Sequence, residues 1–231
     1  MTIKIHFDED LDVLRGKLLE MGGLCEDMIH DAVKVLTERD EVYLADVQTK
    51  EGRVNDLHIE IDELALRLIA LHQPAAGDLR LIAAALKINS DLERIGDQAV
   101  NIAETGIYLA RMPRIKLGDI PRMVEVAVGM TKDSLDAFSR RDVELARSVI
   151  ARDDEEDALK SQTFNELVGL MQSDASTIQR GMDIILVARN LERIADHATN
   201  IAEDVIFMVL GKDIRHHAEE KAAAAERAPE P

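Results

Sequence analysis

The chain has 231 residues, with 28 Lys+Arg against 45 Asp+Glu and a formal net charge of −17. So acidic a surface repels phosphate backbones, which excludes nucleic-acid binding through a basic face. Hydrophobic residues make up 46%, enough for a packed core, whereas 12 Gly, 5 Pro, 2 Tyr and 4 Phe are too few turn-formers and aromatics for a many-stranded β protein. The single cysteine, Cys25, excludes an internal disulfide and a Cys-based zinc site. No basic segment followed by an apolar run opens the chain, and uncharged stretches such as Leu68 to Gly77 fall far short of the ~18 apolar residues of a membrane span. The expectation is a cytoplasmic, all-α protein with no direct membrane insertion.

In chain order, apolar residues recur at helical spacing from Leu11 to Leu36, from Val42 to Leu71 and from Leu79 to Leu109. Pro74 ends the second of these segments, and Asp78 is an N-cap candidate for the third. Pro113 and Pro121 bracket a linker, after which the pattern begins again. The spacing predicts two tandem three-helix bundles, six long helices in all. Residues 1–112 form the first bundle, 113–120 the linker and 121–211 the second; 212–231 read as a disordered tail rich in Ala and Glu.

The third helix carries Ile88, Leu92, Ile95, Ala99, Ile102, Gly106 and Leu109 at alternating steps of four and three. This places all of them on one stripe suited to near-antiparallel packing. Val187, Leu191, Ile194, Ala198, Ile201, Val205 and Met208 repeat the stripe in the second half. Asp91–Glu104 and Asn190–Glu203 agree at ten of fourteen positions, at an offset of 99. Upstream, Arg39-Asp40 lines up with Arg141-Asp142 at an offset of 102. A repeat this long is a duplicated domain rather than a solenoid unit.

Beside the apolar seam runs a polar stripe, Glu93, Asp97, Asn101 and Glu104, reproduced as Glu192, Asp196, Asn200 and Glu203. Carboxylates four apart on a helix can hold one hard cation together. A second helix supplies the facing pair: Asp153 and Asp157 in the second half, Glu51 and Asn55 in the first. The neutral Asn55 weakens the first site. A purely structural account gives Arg94 and Arg193, three residues before Asp97 and Asp196, as partners in surface ion pairs worth a few tenths of a kcal/mol.

Leu92-Glu-Arg-Ile-Gly-Asp97 and Leu191-Glu-Arg-Ile-Ala-Asp196, each followed by Asn-Ile-Ala-Glu, resemble the PhoU family of bacterial phosphate-signalling regulators. Gln73-Pro-Ala-Ala-Gly-Asp-Leu-Arg80, Asp153-Asp-Glu-Glu-Asp157 and Val205-Ile-Phe-Met-Val-Leu-Gly211 extend the likeness over nearly all of 1–212. The resemblance implies two similar three-helix bundles and a non-enzymatic negative regulator of phosphate uptake and of the phosphate regulon. Such a protein connects the ATPase subunit of the phosphate transporter to a membrane sensor histidine kinase, and a homodimer is expected by analogy. It also implies divalent ions such as Mg, Mn, Fe or Zn on Glu/Asp-xxx-Asp pairs, here Glu51, Glu93, Asp97, Asp153, Asp157, Glu192 and Asp196, with Asn55 departing from the acidic pattern. The competing readings are a carboxylate-bridged metalloenzyme and a metal-buffering helical bundle. The paired Glu-xx-His motifs of di-iron oxidases are missing, which disfavours the enzyme.

Overall fold

In the computed structural model, which describes residues 2–214 with side chains from Phe7 onward, the chain forms seven α-helices. They are α1 (Thr2–Glu38), α2 (Val42–His72), α3 (Ala76–Ala110), α4 (Ile120–Arg140), α5 (Val143–Ile150), α6 (Asp153–Ser173) and α7 (Ile178–Leu210), with a short 3-10 turn at Ala175–Thr177. No strand occurs among the described residues. The expected tail lies outside the described residues from position 215 onward.

All seam positions on α3 and on α7 are buried, so the alternating spacing identified the correct face of both helices. Ile95 and Ile194 are fully enclosed. Helices α1, α2 and α3 pack as one bundle, and α4, α5, α6 and α7 as the other. The halves are not independent beads, because α3 lies along α7, α1 touches α4, and a single hydrophobic cluster runs through both.

The six expected helices become seven because the middle helix of the second bundle is broken at Ala151–Arg152 into α5 and α6. Four acids, Asp153 to Glu156, fill the first turn of α6, where the positive end of the helix dipole favours them. Arg152, at the break, donates to Asp133 at 2.5 Å and to the Gly129 carbonyl at 3.4 Å, fastening this point to α4. Asp78 lies in the first turn of α3 rather than at its N-cap, which is Ala75.

The repeat is visible in the turns. Arg39 and Arg141 both take the left-handed conformation (φ 63° and 55°) at the end of the first helix of their bundles. The aspartate that follows each binds the start of the next helix: Asp40, one residue before the N-cap Glu41, accepts from the Val42 amide at 2.9 Å, and Asp142, the N-cap of α5, from the Leu145 amide at 3.0 Å. Glycine matters where α3 meets α1. A Cβ on Gly106 would lie 3.0 Å from Val35 Cγ1 and 3.2 Å from the Leu36 backbone nitrogen.

Candidate cation site between α6 and α7

Asp153, Glu156, Asp157 and Lys160 share one stripe of α6, because positions three and four apart lie on the same face. Glu192, Asp196 and Thr199 form the facing stripe of α7. Thr199 Oγ1 donates to Asp153 Oδ1 at 3.4 Å. Lys160 Nζ bridges the helices, donating to Asp157 Oδ1 at 2.6 Å and to Glu192 Oε1 at 2.7 Å. The two carboxylates hold the Lys160 ammonium above its usual pKa.

The other acids crowd one another. Partial burial, followed by repulsion from Glu192, Asp153 and Asp157, pushes the Asp196 carboxyl up to about 6. Burial and the neighbouring Asp157 raise Asp153 as well. Glu156 is 1% exposed and neither of its side-chain oxygens has a hydrogen-bond partner. Burial first, then repulsion by Glu155, Glu192, Asp153 and Asp157, pushes it up to about 8. Lys160 neutralises only the rim of this cluster. An oxygen-only donor set with excess negative charge and an orphaned buried carboxyl fits a hard divalent cation, not a soft one. Among the described residues, however, no three Asp, Glu, His or Cys side chains already stand in an ion-holding arrangement.

The first half differs. Arg94 lies 3.3 Å from both Glu93 and Asp97 and ties the α3 pair to itself. The Glu51 and Asn55 side chains make no hydrogen bond or ion pair with another described residue. The ion pair proposed on structural grounds thus exists for Arg94 and Asp97, whereas Arg193 makes none with Asp196. Of the flanking positions, Asn101, Glu104 and Arg193 are exposed. Asn200 turns away from α6 and donates to Asp91 of α3 at 3.3 Å.

Sequence reasoning missed two members of the second cluster, Glu156 and Lys160. At the offset of 102 they correspond to Val54 and His58. The one signal in the sequence is an acid aligned with an apolar valine of the repeat. Beside the cluster the α6–α7 cleft widens into a groove of about 430 Å³, lined by Lys160, Phe164, Ile185, Ala188, Arg189 and Glu192. Cys25 is sealed in the core, where burial pushes its thiol up to about 12, so it is chemically inert.

The fold and site define a duplicated three-helix-bundle protein with acidic inter-helix stripes and no helix among the described residues long and apolar enough to cross a membrane. The PhoU domain model matches residues 18–106 and again 120–205, and the chain belongs to the PhoU family. It is 40% identical over 216 residues to the phosphate-specific transport system accessory protein PhoU homolog of Pseudomonas putida, a match covering 93% of this chain and 84% of the relative. It superposes with a TM-score of 0.84 on the crystal structure of PhoU from Pseudomonas aeruginosa, at 40% identity over 89% of this chain and 100% of that one. The phosphate transport system regulatory protein PhoU from Streptococcus pneumoniae also gives 0.84, at 27% identity over 90% of this chain and 98% of the other.

Proposed function

We propose that this protein is a non-enzymatic accessory protein of phosphate-specific transport, restraining phosphate uptake and holding the phosphate regulon silent when phosphate is abundant. The observation that carries this function is the 40% identity to a phosphate-transport accessory protein over 93% of the chain. In this role it acts in the cytoplasm as an adaptor, contacting the ATPase subunit of the transporter and a sensor histidine kinase, and reaches the membrane only through them. A partner-binding role is supported by large apolar side chains left in solvent: Ile178, Met182 and Leu186 on α7, four residues apart, and Phe164 on α6.

Within the same proposal, Asp153, Asp157, Glu192 and Asp196 hold a divalent ion such as Mg, Mn, Fe(II) or Zn. The ion supplies positive charge that pins α6 to α7. The first-half set, Glu51, Asn55, Glu93 and Asp97, binds more weakly, because it has one charge fewer and Arg94 already occupies Glu93 and Asp97.

Affinity capture of the tagged full chain from phosphate-replete cells, with and without chelator, tests the adaptor role. Co-purification of the transporter ATPase subunit and a sensor kinase is expected. Recovery of neither overturns the proposal.

A further inference from the structure

The duplication supplies a comparison for the groove between α6 and α7. At the offset of 102 Phe164 corresponds to Asp62, and at the offset of 99 Ala188 and Arg189 correspond to Asn89 and Ser90. In the first half Asn89 is fully buried and laces α3 to α2, its amide donating to Asp62 Oδ1 and to the His58 carbonyl, both at 2.9 Å. The second half has neither side chain of that tie. The methyl group of Ala188 cannot span to α6, and the cleft stands open as the groove of about 430 Å³. In place of the acid is Phe164, a large apolar ring about half exposed in the lining.

The apolar surface continues past the groove. Ile178, Met182 and Leu186 of α7 are each about half exposed, and Arg189 and Arg193 extend their stripe, at steps of four, four, three and four. From Ile178 to Arg193 the stripe runs about 22 Å at ~1.5 Å per residue. So long and narrow a strip suits a partner helix, which offers apolar anchors at i, i+3, i+4 and i+7, better than a small molecule. The charges select the helix. In the lining Lys160 and Glu192 pair with each other, whereas Arg189 and Arg193 make no hydrogen bond or ion pair with another described residue. Two unpaired guanidinium groups beside an apolar strip are complementary to carboxylates. The net charge of −17 opposes an acidic partner only at range, since ions screen it beyond about 8 Å at physiological ionic strength. Past Arg193 the stripe meets Asp196, which repels further carboxylates and bounds the surface.

We infer that the α6–α7 groove and the exposed α7 stripe form a docking surface for an amphipathic helix of a partner protein, its apolar face on Phe164, Ile185 and the Ile178, Met182 and Leu186 row, and its Asp or Glu side chains paired with Arg189 and Arg193. The inference rests on the adaptor reading proposed above and adds the place and chemistry of one partner contact. The first half, tied across by Asn89 and Asp62, does not offer the same seat.

The test is photo-crosslinking of the full chain in phosphate-replete cells. Asn165, exposed in the groove lining, is replaced by p-benzoylphenylalanine, and in a second protein its first-half counterpart Glu63 is replaced likewise. After irradiation the crosslinked peptide is sequenced by mass spectrometry. Position 165 is expected to capture one segment of another protein, with apolar residues at helical spacing and at least one Asp or Glu beside them, and position 63 is expected not to capture it. Phe164→Asp and Arg189→Glu are each expected to lower that crosslink at least about tenfold, the first by removing an apolar anchor and the second by opposing like charges. Reversing the captured acid to Lys is expected to restore the crosslink to the Arg189→Glu protein. The docking surface is overturned by a captured segment without acids, by capture of a second copy of this chain or of its own residues 215–231, by no crosslink, or by a crosslink that Arg189→Glu leaves unchanged. If one of these occurs while affinity capture still recovers the transporter ATPase subunit and the kinase, the adaptor reading stands and the docking surface alone is wrong. If affinity capture recovers neither, both fall.

Discussion

His197 Nδ1 on α7 lies 2.8 Å from Asp91 Oδ1 on α3, joining the two bundles across their shared seam. A carboxylate only accepts, so Nδ1 carries the proton. Asn200 donates to the same oxygen at 3.3 Å, and one turn further Lys87 Nζ donates to the buried Asp204 at 2.8 Å. Helix α7 thus presents Glu192, Asp196 and Thr199 to α6, and His197, Asn200 and Asp204 to α3. Asp91→Ala strips a partner from both His197 and Asn200 and is expected to destabilise the protein by about 1–3 kcal/mol. Urea unfolding monitored by circular dichroism checks this.

Glu156 makes stability depend on pH. Its carboxyl titrates near 4.5 when exposed and is raised to about 8 in the fold, so the folded state binds the extra proton. The stabilisation is complete below about pH 4.5 and is lost as pH rises through about 8, because the folded state must then carry a buried charge. Glu156→Gln is expected to flatten the decline between pH 5 and pH 8, a change on the order of a few kcal/mol. Melting temperatures of both proteins across that range, in the presence of chelator, are the measurement.

Two helical glycines are expected to respond in opposite senses to alanine. Gly52 on α2 has open space around its Cβ position, so Gly52→Ala should stabilise by about 0.5–1 kcal/mol through helix propensity. Gly106 on α3 faces the Leu36 backbone at 3.2 Å, where the helix cannot yield without separating from α1. Gly106→Ala should destabilise by about 1–3 kcal/mol despite the same propensity gain. Thermal unfolding of the two variants side by side decides it.

Lys160 holds Asp157 Oδ1 and Glu192 Oε1, two oxygens that the proposed divalent ion would need. Lys160→Met removes the resident ammonium and is expected to tighten divalent-ion binding about tenfold, whereas Asp196→Asn weakens it by at least as much. Calorimetric titration of the stripped proteins reads both. Equal titration curves for wild type and Asp196→Asn remove the ion from the account.

What was legible in the sequence follows from periodicity. The four-three alternation of Ile88 to Leu109 and of Val187 to Met208 registers burial directly, so both seams were found with their faces correct. The break between α5 and α6 has no proline or glycine to mark it, since Ala151 and Arg152 are ordinary helix residues. It arises from the acid run at 153–156 and from the reach of Arg152 to Asp133, a contact between helices that spacing cannot show. The acidic stripes were found, but the positive charges that sit on them are set by three dimensions. Arg94 closes on its own helix pair, whereas Lys160 bridges two helices. Glu156 was hidden inside the acidic run, and only its alignment with Val54 distinguishes it.

The central claim, that this chain silences phosphate scavenging when phosphate is plentiful, is tested most directly by deleting its gene and measuring transcripts of phosphate-scavenging genes in phosphate-replete medium. The account predicts that these genes are switched on in the deletion strain and silenced again by the wild-type chain supplied in trans. Low transcript levels in the deletion strain, equal to those of the parent, would contradict it.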